Sequence, residues 1–122
     1  MVEVICDTNF LIHLAIKRIK NIDNIDVEIG PISFVVPEVV KNELYKLGNI
    51  PEKKQDIIAT LNFIKNLKTI PICGTFADKE LLNYVKTNRS IVGTMDKALK
   101  KQIKLAGSSI ISFSQDKIIL ES

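Results

Sequence analysis

The 122-residue chain is long enough for one domain with one core, and its 46% hydrophobic and 25% charged residues are ordinary for a globular protein. No apolar run approaches the roughly 18 residues that a membrane span needs, and Met1-Val2-Glu3 lacks the basic start of a signal peptide, so a cytoplasmic protein is expected. A net charge of +3 permits nucleic-acid binding without requiring it, while two distant cysteines and one histidine argue against a zinc site.

In chain order, Val2 to Cys6 predicts a first strand that ends on Asp7-Thr8-Asn9. Phe10 to Ile16 follows as a helix apolar nearly all round, hence largely buried. His13 lies within it and reads as a packing or surface residue, since no Ser or Cys nucleophile motif accompanies it. The Lys17–Gly30 segment alternates Ile with polar residues and suggests a short helix and a loop. Ile32 to Val36 is a second strand, closed by Pro37. Glu38 to Leu47 is a helix with Val40, Leu44 and Leu47 on its apolar stripe and Glu43 on or beside it.

Gly48 to Lys54 is a turn. Gln55 to Leu67 predicts a helix whose stripe is Ile57, Ile58, Leu61, Ile64 and Leu67. Thr69 to Cys73 is a third strand, and both Cys6 and Cys73 are expected to pack as small apolar residues. A loop, Gly74-Thr75-Phe76, leads to Ala77-Asp78 and a helix from Lys79 to Thr87. Ile91-Val92-Gly93-Thr94-Met95-Asp96 repeats the opening design: a buried strand that ends on an acid at the mouth of a helix. That helix, Lys97 to Ala106, places Leu99, Ile103 and Ala106 toward the core and Lys97, Lys100, Lys101 and Lys104 on one face. Gly107 ends it. Ser109 to Phe113 is the fifth strand, and Ile118 to Leu120 suggests an edge strand. The alternation indicates an α/β fold with a largely parallel sheet over a single domain, residues 1–122.

Four acids stand out: Asp7, Glu43, Asp78 and Asp96. Each aspartate has a plain explanation as a helix cap. As a group they have another. Crowded carboxylates cannot all stay ionised without a cation, and oxygen-only ligands suit Mg²⁺ or Mn²⁺. Such an ion supports in-line phosphodiester displacement. The chain carries no glycine-rich phosphate loop, nucleophile elbow or metal-ligand His pair to suggest a different chemistry.

With these motifs in view, the sequence resembles PIN-domain ribonucleases over nearly its whole length. Asp7-Thr8-Asn9-Phe10-Leu11 resembles the opening strand motif of that family, and Glu43 in Val39-Val40-Lys41-Asn42-Glu43-Leu44 its helical glutamate. Gly74-Thr75-Phe76-Ala77-Asp78 and Ile91-Val92-Gly93-Thr94-Met95-Asp96 resemble its third and fourth motifs. The resemblance implies a three-layer α/β/α sandwich with a five-stranded parallel sheet of order 3-2-1-4-5. It implies a Mg²⁺- or Mn²⁺-dependent endoribonuclease with Asp7, Glu43, Asp78 and Asp96 as catalytic and metal-binding residues. Asn9 and Thr94 would support the site. Independently of the resemblance, the position of Lys97, Lys100, Lys101 and Lys104 next to the proposed crevice makes RNA phosphates the expected contact of that face.

The third and fourth motifs are most similar to the branch that processes small-subunit ribosomal RNA precursors, although Lys79 stands where that branch often repeats the aspartate. VapC-type toxins share the fold, the acids and the length. The partners implied are ribosomal RNA precursor or transfer RNA, a second copy of the chain, an antitoxin or a ribosome-assembly factor. A non-catalytic RNA-binding or scaffold module is the alternative from another class.

Overall fold

The computed structural model describes residues 2–17, 30–115 and 117–121. The suggested helix and loop of the Lys17–Gly30 segment fall almost wholly outside them. The strands are β1 (Val2–Cys6), β2 (Ile32–Pro37), β3 (Lys68–Ile70), β4 (Ile91–Gly93), β5 (Ser109–Ser114) and β6 (Lys117–Glu121). The helices are α1 (Thr8–Ile16), α2 (Glu38–Leu47), α3 (Lys54–Ile64), α4 (Ala77–Thr87) and α5 (Lys97–Leu105), with a 3-10 turn at Pro51–Lys53. No helix among the described residues is long and apolar enough to cross a membrane.

The sheet order is β3-β2-β1-β4-β5-β6, parallel from β3 to β5. The expected five-strand order is therefore present, and the sheet is extended by β6, which pairs antiparallel with β5. Connections β1–β2 and β2–β3 step one way along the sheet. Connections β3–β4 and β4–β5 step the other way. Right-handed crossovers then put α1 and α3 on one face and α4 and α5 on the opposite face. The packing agrees: α1 lies against α3, and α4 against α5. Helix α2 touches α1, α3 and α4 and so joins the layers. Because helices cover both faces, the central strands are continuous apolar runs, with Val4, Ile5, Cys6, Val35, Val36, Ile110 and Ile111 all buried.

Four local expectations need correction. Helix α3 ends at Ile64 rather than Leu67, and its buried line is Ile57, Thr60 and Ile64, while Ile58 is 49% exposed. Thr60 is tolerated there because its hydroxyl donates to the Asp56 carbonyl at 2.7 Å, leaving no orphan polar group. Strand β3 stops at Ile70, before Pro71, so Cys73 lies in a loop and is exposed; only Cys6 packs as an apolar residue. Burial, then the adjacent Asp7 charge, push the Cys6 thiol well up, so it is inert. Ala106 is exposed, since α5 ends one residue earlier and Gly107 turns the chain with φ +91°.

One close approach fixes the sheet against α1. A Cβ built on Gly93 would stand 2.7 Å from the Phe10 ring. Phe10 is fully buried and stacks on Phe113 with centroids 4.7 Å apart. Gly93→Ala is expected to cost roughly 1–3 kcal/mol through overpacking. Combining it with Phe10→Leu should cost less than the two single changes added together. Urea unfolding of the three variants checks this.

Candidate active site

Strands β1 and β4 are neighbours, with Cys6 opposite Gly93. The chain order reverses between them, and their carboxyl ends open the crevice where α/β sheets build sites. Asp7 and Asp96 sit just beyond those ends. The Asp7 backbone N–H donates to the Gly93 carbonyl at 2.9 Å, which carries the sheet pairing up to the acid itself.

Both aspartates do cap helices. Asp7 Oδ1 accepts from the Thr8 N–H at 2.8 Å, and Asp96 Oδ1 accepts from the Leu99 N–H at 3.0 Å. Capping uses one oxygen of each. The Thr94 hydroxyl, fully buried, donates to Asp7 Oδ2 at 3.1 Å and accepts from the Asp96 N–H at 3.2 Å. One side chain thus ties the two junctions together.

Glu43 reaches the same place from α2. Its Oε1 accepts from the Thr8 hydroxyl at 3.0 Å and its Oε2 from the Ala77 N–H at 2.7 Å. It is half-buried and pinned between the first turns of α1 and α4, not reaching out to water. Thr8 is therefore a positioning residue that the carboxylate pattern alone did not mark, although its hydroxyl beside Asp7 was visible. Asp78, exposed in the first turn of α4, accepts from the Lys79 N–H at 2.9 Å. It shares a shallow depression between α4 and α5 with Asp96. Asn9 is exposed next to Asp96, and its side chain has no hydrogen-bond partner among the described residues.

Burial raises the Asp7 carboxyl above its ordinary value; the Thr8 N–H and Thr94 hydroxyl act against this, and the charges of Glu43 and then Asp96 add to it. Asp7, Glu43 and Asp96 therefore share one field. Asp78 stands at its outer edge.

The four lysines of α5 are not equally free. Lys100 and Lys104 meet Glu121 of β6 at 3.2 and 3.0 Å. The Ser112 hydroxyl, then Lys104 and Lys100, hold the Glu121 carboxyl down at about 2. Lys97 and Lys101 are exposed, without such a partner among the described residues.

Among the described residues no three His, Cys, Asp or Glu side chains close into a ready metal cage. The donors nevertheless fit a hard divalent ion. Mg²⁺ is usually held by one or two carboxylates while keeping several waters. A carboxylate has about four lone-pair positions, so the single bonds to Asp7 and Asp96 oxygens leave capacity for a cation. The raised Asp7 carboxyl is the electrostatic mark of a site that a cation would relieve.

The family model described as "PIN like domain" matches residues 4–116. The chain belongs to this PIN-like family. It is similar to "Ribonuclease VapC4" of Methanocaldococcus jannaschii, with 33% identity over 113 residues, taking in 84% of this chain and 83% of the relative. Among solved structures it is similar to the PIN domain endonuclease Utp24, with TM-score 0.80 and 28% identity over 98% of this chain and 90% of that one. A domain of a functionally unknown protein from Methanocaldococcus jannaschii shares the fold, with TM-score 0.64 and 18% identity over 93% of this chain and 92% of that one.

The Asp7 shift gives a test with a definite sign. A raised folded-state value means that the native protein binds the proton more tightly than the unfolded chain. The contribution of Asp7 to stability is then greatest below the ordinary carboxylate value of 3.8 and is lost as pH rises through the folded-state value. Asp7→Asn removes that loss. In EDTA the variant should melt above the wild type at neutral pH, with the gap shrinking toward about pH 4. Added Mn²⁺ should raise the wild type more than the variant. Equal melting at every pH, and equal gains from Mn²⁺, would leave Asp7 as a cap only.

Proposed function

We propose that this PIN-like domain is a Mg²⁺- or Mn²⁺-dependent endoribonuclease, hydrolysing RNA phosphodiester bonds at the crevice of Asp7, Glu43, Asp78 and Asp96, and that its natural substrate is a ribosomal RNA precursor. The observation that supports this is the Thr94 bridge, which ties the Asp7 carboxylate to the Asp96 backbone N–H and so fastens the two strand-to-helix junctions together at the switch point. A divalent ion bound there supplies Lewis acidity, lowering the pKa of water and countering charge on the phosphate. The remaining work belongs to the chain. The Thr94 hydroxyl commits its proton to Asp7 Oδ2 because its own oxygen already accepts from Asp96 N–H, and this fixes the Asp7 carboxylate plane. Thr8 and the Ala77 N–H hold Glu43 at one wall. The Leu99 cap orients Asp96, and Asp78 faces it across the α4–α5 depression.

Ribonuclease chemistry is supported by the VapC4 relative, and endonucleolytic cleavage by the Utp24 likeness. The ribosomal RNA precursor reading rests on the Gly74–Asp78 and Ile91–Asp96 motifs. The VapC4 likeness favours a second reading, a toxin ribonuclease held by an antitoxin. Incubation with small-subunit ribosomal RNA precursor and with transfer RNA separates them. Cleavage confined to precursor supports the first; cleavage confined to transfer RNA supports the second. In either case EDTA should abolish cleavage, Mn²⁺ should restore it, and Asp7→Asn should lose it. Full-rate activity in EDTA would remove the metal mechanism.

The basic face makes a separate expectation. Replacing Lys97 and Lys101 by Ala should flatten the dependence of RNA affinity on log salt by about one unit per lost phosphate contact. Replacing Lys100 and Lys104 should flatten it less, because Glu121 already offsets their charge. Binding titrations at several salt concentrations measure both slopes.

A further inference from the structure

Beside the acids, α1 and the β4–α5 loop enclose a depression of about 360 Å³ lined by Asn9, Ile12, His13, Ile16, Met95 and Asp96. Asp96 and Asn9 place it in continuity with the crevice. The rest of its lining takes no part in the carboxylate network. Ile16 and Met95 are each 40% exposed, a surface placement of apolar side chains next to a polar site. Among the described residues no lysine or arginine lines it.

His13 gives this surface a fixed flat wall. Its ring lies against Phe113 with centroids 4.2 Å apart and planes tilted by 36°. Phe113 in turn stacks on Phe10, which is fully buried. The imidazole is thus the outer member of a ring series rooted in the core. Burial, then the nearby Lys17 charge, push its titration below the usual range, so it is neutral at neutral pH. Among the described residues lining it the one charged side chain is Asp96, which sets the depression against a phosphate; Lys17 acts on His13 from outside the lining. A flat, uncharged heterocycle finds an aromatic wall, aliphatic side chains and one uncommitted carboxamide, Asn9, which offers a donor pair and an acceptor.

We propose that this depression is a nucleobase subsite, which takes the base of a nucleotide adjoining the phosphate held at Asp7 and Asp96, packs it between His13 and Met95, and presents Asn9 to its edge. The inference rests on the ribonuclease reading, because the neighbouring phosphate is what brings the base to this place. It makes His13, Met95 and Asn9 determinants of which nucleotide stands beside the cut. His13 thereby has a role as a platform rather than as an acid or base.

Short RNA oligonucleotides with a single abasic position, moved stepwise along the chain, test it. Binding is followed by fluorescence anisotropy with Ca²⁺, and cleavage of the same oligonucleotides is measured separately with Mn²⁺. In the wild type, one position should show a loss of affinity of roughly fivefold to a hundredfold when its base is missing, the range of base stacking on a protein platform. That position should adjoin the cleaved bond. The loss should largely disappear in Met95→Ala, an exposed loop change that leaves the core intact, and in His13→Ala. An equal loss in the variants, or no base-dependent position at all, overturns the subsite, as does a failure to bind RNA. Cleavage without a base-dependent position leaves the ribonuclease reading standing. A Met95-dependent position on RNA that is bound but not cleaved removes the ribonuclease reading, and with it the claim that this base stands beside a cut.

Discussion

The site depends on one hydroxyl. Thr94 Oγ1 joins the Asp7 carboxylate, 87 residues before it, to the Asp96 backbone N–H, and it can do so only because β1 and β4 are adjacent in the sheet. Two strands that pair in register carry their following residues to the same edge. The Asp7 N–H to Gly93 carbonyl bond continues that register by one step. Everything else about the crevice follows from this alignment. Helices α1 and α5 start from it, each with its first turn capped by one of the acids. Gly93 has no side chain for the further reason that Phe10 occupies the space beneath it.

Capping does not compete with the proposed role of these acids. A cap consumes one carboxylate oxygen and fixes the group's orientation, which is what a metal or phosphate site requires of its ligands. The cost is electrostatic. Asp7 is largely removed from water and feels Glu43 and Asp96, so its ionised form is disfavoured, a penalty that a bound cation would relieve. Glu43 shows the same economy of parts. By accepting from Thr8 and from the Ala77 N–H it ties α2 to the first turns of both α1 and α4, and so links one layer of the sandwich to the other.

The sixth strand also bears on the site at one remove. Glu121 draws in Lys100, Lys104 and Ser112, fastening the outer flank of α5 to the sheet edge. The helix that carries Asp96 at its start is thus anchored along its length by β6. The basic face then divides into a flank held by Glu121 and a pair, Lys97 and Lys101, left to solvent. The depression beside Asp96 has a different character, lined by Met95, Ile12 and the His13 ring. A phosphate and a base are recognised by different chemistry, and Asp96 belongs both to the start of the basic helix and to the lining of the depression.

The sequence by itself determined the order of elements, because apolar runs of strand length and helix-period stripes alternate clearly, and Pro37, Gly48 and Gly107 punctuate them. Helix α2 runs over the residues that its pattern predicts, and the four acids stood out by their place at strand ends and on a helix. The sequence could not decide what each acid touches. Whether Glu43 faces water or two donors depends on the placement of α1 and α4, which lie 34 or more residues away. Local pattern likewise could not show that Thr60, rather than Ile58, faces the core, because a buried hydroxyl is acceptable only when a carbonyl stands in reach. The four lysines of α5 look alike as a helical face. Only the tertiary structure separates them, because the acid that claims two of them arrives on an antiparallel strand at the far end of the chain. Side-chain spacing is written in the sequence, but charge and hydrogen-bond partners are set by what the fold brings next to it.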